Sequence, residues 1–177
     1  MPEQSLPLLR SVHEGVMTLV MNRPERLNAL SPELYDQLAQ ALLEAKDNRQ
    51  IGAVVLTGAG AAFCAGGDVA RMANSPAETL SFEQKVARLR RRNQITELLH
   101  TLSIPTIAMI RGPAAGAGLS LALACDFRYA DDSAKFKTAF INVGLPGDFG
   151  GHYFLPRIVG SLFSPRFCPP PIILMSI

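Results

Sequence analysis

Two glycine-rich turns hold the groups in this chain best suited to chemistry. The first is Phe63-Cys64-Ala65-Gly66-Gly67-Asp68-Val69, which follows an apolar run at 53–57 and a loose connection at 58–62. Adjacent glycines lack Cβ atoms, so another backbone or a ligand can come close and unusual dihedrals are open. A short helix beginning just after them leaves N–H groups without intrahelical partners. Free N–H groups at a strand-to-helix turn suit an anion or a developing oxyanion. The second turn, Arg111-Gly112-Pro113-Ala114-Ala115-Gly116-Ala117-Gly118-Leu119-Ser120, has the same character. The expectation is that the two turns face each other and hold one oxygen atom between their backbone amides.

The other chemistry-bearing residues have plainer readings. Asp68 falls where the first turn of a helix favours a carboxylate, which makes it a structural group beside the turn. Asp126 follows an apolar helix and is expected to pair with backbone. His13, His100 and His152 are scattered, as surface or satisfied core histidines are. Cys64, Cys125 and Cys168 lack metal-type spacing, so no metal site is expected. Lys85, Arg88, Arg90, Arg91 and Arg92 cluster on one helix. They read as a solvated face or as a contact to a phosphate-bearing ligand. No aromatic residues interleave with them, which argues against RNA. Gly58-x-Gly60 after a strand suggests a dinucleotide fingerprint, but its third position is Phe63 rather than glycine.

A chain of 177 residues forms one domain with a real core, and 48% hydrophobic against 18% charged residues argues for a globular protein. A net charge of +2 is too small to indicate a nucleic-acid surface. An odd cysteine count with no signal peptide fits a reducing, cytoplasmic setting. Residues 104–125 are apolar enough to imitate a membrane span, but Pro105, Arg111, Pro113 and the glycines break it into strand, turn and buried helix.

Elements that could position the two turns follow in order. Residues 6–13 and 16–21, joined by Glu14-Gly15, read as a β-hairpin. A polar loop runs to Ser31, a good N-cap, and Pro32 at the first helical position. Leu34, Tyr35, Leu38, Ala41, Leu42 and Ala45 then recur at helical spacing and predict one buried face. Strands are expected at 51–57, 106–110, 126–130 and 134–138. Helices are expected at 69–72, 82–102, 116–124 and 148–158, the last with Asp148 as its N-cap. After Gly160 the composition changes: Cys168-Pro169-Pro170-Pro171 cannot continue a helix, and an apolar tail follows. The division expected is a core over 1–160 and an atypical tail over 161–177.

Taken together, these motifs resemble the enoyl-CoA hydratase/isomerase, or crotonase, family. The motifs are Asn22-Arg23-Pro24 through Asn28-Ala29-Leu30, then 54–58, 63–68, Ile104-Pro105 through Gly118, and Ala124-Cys125-Asp126. The resemblance covers residues 8–160, in order and at family spacing. It implies an α/β fold, a crotonase-like spiral of β-β-α units. It also implies an acyl-CoA thioester substrate, with coenzyme A entering as part of that substrate and no separately bound cofactor. Trimers or hexamers are implied too, as is a C-terminal helical segment that residues 161–177 do not match.

Carried onto this sequence, the resemblance places the oxyanion hole at the backbone N–H groups of Gly67 and Ala117, with Gly116 beside it. Coenzyme A is implied to lie along Arg26, Leu27 and Ala29, and along Ala65, Gly66, Asp68 and Val69. Family hydratases use two glutamates, and the matching positions here hold Ser120 and Phe140, neither suited to general acid–base work. Asp148 stands at a position similar to the catalytic aspartate of family isomerases and of a family dehalogenase. The activity implied is therefore a double-bond isomerase of fatty-acid or aromatic-acid CoA thioesters. A hydratase of fatty-acid β-oxidation, or a non-catalytic CoA- or RNA-binding relative, is the alternative.

Overall fold

The computed structural model describes residues 6–74, 80–140, 144, 147 and 149–160, and of residues 72–74 only the backbone. The expected hairpin forms β1 (Leu8–His13) and β2 (Val16–Met21), paired antiparallel. Ser31 caps α1 (Pro32–Asp47) by accepting the Leu34 N–H, with Pro32 at the first position. The six residues expected at helical spacing are the six that α1 buries. Next come β3 (Ala53–Gly58), α2 (Val69–Asn74) and α3 (Phe82–Thr101), which Ser81 opens with a capping box to Gln84. Then follow β4 (Thr106–Ile110), β5 (Pro113–Ala115), α4 (Ala117–Ala124), β6 (Phe127–Ala130), β7 (Lys135–Lys137) and α5 (Gly151–Val159).

The main sheet has the order β1-β2-β3-β4-β6, parallel from β2 onward. Alternation decides its faces: Met17, Leu19, Met21, Val54, Leu56, Ala108 and Ile110 point inward and are buried in one core with α1, α3 and α4. The carboxylate of Asp126 accepts the backbone N–H of Thr106 at 2.8 Å, as expected of a residue that pairs with main chain. Among the described residues no helix is long and apolar enough to cross a membrane.

Two expectations change. Residues 113–115 read as part of a turn, but they form β5, which pairs with β7 on one side and bridges Cys64 on the other. A proline is tolerated there because it is the first residue of the strand. The pairing also clarifies the architecture. β4 and β6 lie in the main sheet, and the stretches that follow them, β5 and β7, form a second, smaller sheet that Cys64 joins by a bridge. The other change is at α5, which starts at Gly151 with Gly150 as its N-cap and with no side-chain cap bond. Phe149 and Gly150 are both left-handed, at φ 56° and φ 70°, and the helix begins directly after them. Asp148, the loop at 75–77 and the tail at 161–177 lie outside the described residues.

A buried polar clasp joins the loop before α1 to the loop before the first glycine turn. Asn28 is fully buried. Its Nδ2 donates to the carbonyls of Ala59 (2.9 Å) and Ala62 (2.7 Å), and its Oδ1 accepts the Arg23 N–H at 2.9 Å. Asn28 has φ 56°, a left-handed conformation that asparagine adopts more readily than most residues. Asn28→Leu keeps the volume but takes the partner from two carbonyls and from the Arg23 N–H, and each buried group left unsatisfied costs roughly 1–3 kcal/mol. The expected loss is about 2–6 kcal/mol of unfolding free energy in urea titrations. A loss under about 1 kcal/mol would show that the loops do not depend on the clasp.

Candidate active site

The first glycine turn is held by a short parallel pairing between the residues before α1 and those before α2. Ala65 N–H donates to Leu27 O at 2.9 Å, Leu30 N–H to Gly66 O at 2.8 Å and Asp68 N–H to Leu30 O at 3.4 Å. Gly67 sits in the middle of this ladder, opposite Leu30. The Gly66 carbonyl and the Gly67 N–H belong to one planar peptide, on opposite sides of it. With its carbonyl bound to Leu30, that peptide directs its N–H the other way. Gly67 N–H makes no hydrogen bond to a described residue.

The second turn repeats the arrangement at the start of α4. This helix is apolar except for Ser120, and all eight residues are buried. Gly116 is its N-cap, at φ 51° and ψ −121°, a conformation that only glycine adopts without strain. The Gly116 carbonyl accepts the Ser120 N–H at 3.1 Å and lies 3.3 Å from Ser120 Oγ. The Ala117 N–H therefore points away from the helix, and it too has no partner among the described residues. It belongs to the helix N-terminus, where partial positive charge gathers.

The two turns lie against each other. A Cβ on Gly66 would stand 2.7 Å from Ala115 O and 3.4 Å from Ala117 N, and one on Gly118 would collide with the Cys64 carbonyl. Cys64 reinforces the contact: its N–H donates to Pro113 O at 3.0 Å, and its carbonyl accepts the Ala115 N–H at 2.9 Å. Its own thiol is buried and takes the Gly66 N–H at 3.4 Å, and burial pushes it up to about 12. Cys125 is likewise pushed up to about 12 by burial, so neither thiol is a nucleophile near neutral pH.

The remaining sequence candidates lie in the two paired segments that flank the first turn. Arg26 ends a 3-10 turn at Pro24–Arg26, Leu27 is left-handed at φ 49°, and Ala29 is buried. Leu27 and Val69 expose large apolar side chains on this side, at 46% and 49%. Asp68 is committed to the scaffold: Oδ1 accepts the Arg71 N–H at 3.1 Å and Oδ2 accepts Arg23 Nη2 at 3.0 Å. Burial on its own raises the Asp68 carboxyl. The Arg71 N–H and the Arg23 guanidinium outweigh it and hold the group below the usual carboxylate range. Arg23 Nη1 also donates to the Ala29 carbonyl, so one guanidinium ties the two segments together.

At the far side of Gly116, Phe140 approaches two glycines. Its ring would meet a Cβ on Gly116 at 3.7 Å and one on Gly151 at 3.9 Å, and Ser120 Oγ would meet the latter at 2.7 Å. Ser120, Phe140 and Gly151 thus share one corner next to the Ala117 N–H. Phe149, which follows Asp148, is anchored nearby. Its N–H donates to Asn93 Oδ1 at 3.1 Å, and its ring stacks on Tyr35 at 5.5 Å and 12°. Sequence reading gave Asn93 no role and took Tyr35 only as part of a buried face, because no spacing rule links positions 35, 93 and 149. The basic stretch of α3 behaves mainly as a solvated face, with Arg91 paired to Asp36 at 2.9 Å and Arg92 over the Tyr35 ring at 5.6 Å.

Comparisons with known proteins agree with this geometry. A family profile described as enoyl-CoA hydratase/isomerase matches residues 11–168. The chain is 42% identical over 154 residues to the 1,2-epoxyphenylacetyl-CoA isomerase of Escherichia coli K12, covering 86% of this chain and 58% of that protein. It is 36% identical over 147 residues to 4-chlorobenzoyl coenzyme A dehalogenase-2 of an Arthrobacter species, covering 83% of this chain and 53% of that one. It thus spans little more than half the length of these curated relatives. A crystal structure of an enoyl-CoA hydratase from Polaromonas sp. JS666 superposes with a TM-score of 0.85 at 34% identity, covering 94% of this chain and 65% of the other.

The Asp68 contacts carry a pH signature. Because its folded-state pKa is lowered, the stability it contributes is present above its unfolded value and is lost as pH falls through the folded value. Asp68→Asn keeps the shape but removes the charge-assisted bonds, at about 1.5–3 kcal/mol near pH 7. Urea titrations of both proteins should show this gap narrowing as pH drops below the ordinary aspartate value of 3.8. An equal gap at every pH would mean that shape rather than charge matters at this position.

Proposed function

The chain belongs to the enoyl-CoA hydratase/isomerase family and has its crotonase-like fold, and on that premise we propose that it shifts a double bond in an acyl-CoA thioester, with Asp148 as the base. The observation that carries the reading is the pair of peptide N–H groups at Gly67 and Ala117, which have no partner among the described residues and are each aimed by a hydrogen bond on the carbonyl of the same peptide. A thioester oxygen between them accepts two hydrogen bonds, which strengthen as it becomes enolate-like. Removing a proton from the carbon beside the thioester gives that enolate, with the charge spread to the oxygen and along the conjugated chain. Returning the proton two carbons further on moves a 3,4 double bond to the 2,3 position. One carboxylate that takes and gives back the same proton suffices, so the reaction needs neither water nor a second acid.

Coenzyme A lies, in this reading, along Arg26, Leu27, Ala29, Ala65, Gly66, Asp68 and Val69. Exposed Leu27 and Val69 offer it apolar contact, and Arg26 offers positive charge at the rim. Support for isomerisation over hydration comes from Ser120 and Phe140, which stand where hydratases carry glutamates, and from similarity to a named CoA-thioester isomerase. A hydratase reading draws on similarity to a structure named as a hydratase.

Two substitutions test the reading, made in the whole protein. Ala117→Pro deletes one donor at a helix position where proline is well tolerated. Turnover should fall by about 10²–10³ while CoA-thioester binding changes little. Equal losses in both would remove the oxyanion role. Asp148→Asn should slow isomerisation of a 3-enoyl-CoA by about 10²–10⁴. A wild-type rate in that variant would exclude Asp148 as the base, and fast hydration of a 2-enoyl-CoA by the unaltered protein would move the assignment to hydratase.

A further inference from the structure

By the family resemblance Ser120 stands where hydratases carry a glutamate, and it touches the machinery of the site directly. Its hydroxyl lies 3.3 Å from the Gly116 carbonyl, and its own backbone N–H donates to the same oxygen at 3.1 Å. That carbonyl is the other end of the peptide whose N–H is Ala117's. Serine in a helix commonly bonds the carbonyl four residues back, and in most helices this only competes with the backbone ladder. Here the residue four back is the N-cap. Its peptide is the one part of the turn that glycine leaves free to rotate, since Gly116 sits at φ 51° and ψ −121°. A hydrogen bond on the carbonyl resists that rotation, and it polarises the N–H on the opposite side, as linked hydrogen bonds strengthen one another. The site leaves room for the hydroxyl: a Cβ on Gly151 would stand only 2.7 Å from Ser120 Oγ, and Ser120 is 1% exposed.

We propose that Ser120 is a positioning residue for the oxyanion hole, its hydroxyl holding the Gly116–Ala117 peptide so that the Ala117 N–H faces the thioester oxygen. This rests on the oxyanion reading of Gly67 and Ala117 and not on the identity of the base. The role needs no proton transfer by the serine. It explains how a position that carries acid–base chemistry in hydratases can serve this site with a group that does none.

The test reads the thioester carbonyl itself. A saturated acyl-CoA, which has no double bond to shift, is bound to the whole protein, and its carbonyl stretch is recorded by difference infrared spectroscopy. The unaltered protein should lower that frequency relative to water. Ser120→Ala should lower it less, and should reduce kcat for a 3-enoyl-CoA by about 3–10-fold, a fraction of the roughly 10²–10³ that a missing donor costs. Its dissociation constant for the saturated thioester should change by less than about 2-fold, uniform binding being left largely intact. Ser120→Thr, which restores a hydroxyl able to bond the same carbonyl, should recover both the frequency and kcat. If Ser120→Ala keeps the full carbonyl shift and a wild-type kcat, the serine is only a packing residue and the proposal falls, whatever happens to thermal stability. If the unaltered protein shows no shift at all, the oxyanion reading falls and takes this inference with it.

Discussion

A peptide group is planar, and its C=O and N–H point in opposite directions. The site depends on that constraint twice. Leu30 binds the Gly66 carbonyl and Ser120 binds the Gly116 carbonyl, and each anchor turns the attached N–H the opposite way. Donors fixed in this way need not reorganise as charge develops on a bound oxygen, which is why such amides can contribute more to a barrier than their strength in water suggests. The turns must also approach closely, and Gly66 and Gly118 are the residues whose missing side chains allow it.

The rest of the fold keeps those two peptides still. Helix α4 is buried along its whole length, so its N-terminus is set by core packing rather than by its few hydrogen bonds. Each backbone bond in the small sheet of Cys64, β5 and β7 is worth only about 0.5–1.5 kcal/mol net. Its value lies in direction, because it ties the strand that leads into α4 to the residue that leads into Gly66 and Gly67. The Arg23, Asn28 and Asp68 contacts do the same with charge and buried polar groups. They join three loops that apolar packing alone would leave free to slide.

The balance of carboxylates separates scaffold from chemistry. Asp68 and Asp126 are both near turns, but Asp68 spends its oxygens on the Arg71 N–H and Arg23, and Asp126 Oδ2 accepts the N–H and hydroxyl of Thr106. Both cysteines that the fold buries are held as neutral thiols. Ser120 shares one corner with Phe140 and Gly151.

Much of this was legible in the residue order. The cap at Ser31, the buried face of α1, the alternating strands and both glycine turns follow from local rules of period, capping and missing Cβ atoms. Those rules act within a few residues and need no partner. Gly67 and Ala117 are named not by those rules but by the family resemblance carried onto the two turns. What the local rules could not supply was anything that depends on pairing across the chain. Pro113–Ala115 is a strand only because Cys64 and Lys135–Lys137 flank it. Asn28 is a clasp only because two distant carbonyls come within reach, and Ser120 matters only because the residue one turn back holds the peptide that carries a donor. The start of α5 moved to Gly151 because the backbone at Phe149 and Gly150 is left-handed, a state their neighbours impose and composition does not reveal. Local sequence therefore decided which elements form, and the meeting of remote segments decided which of their peptides face the site.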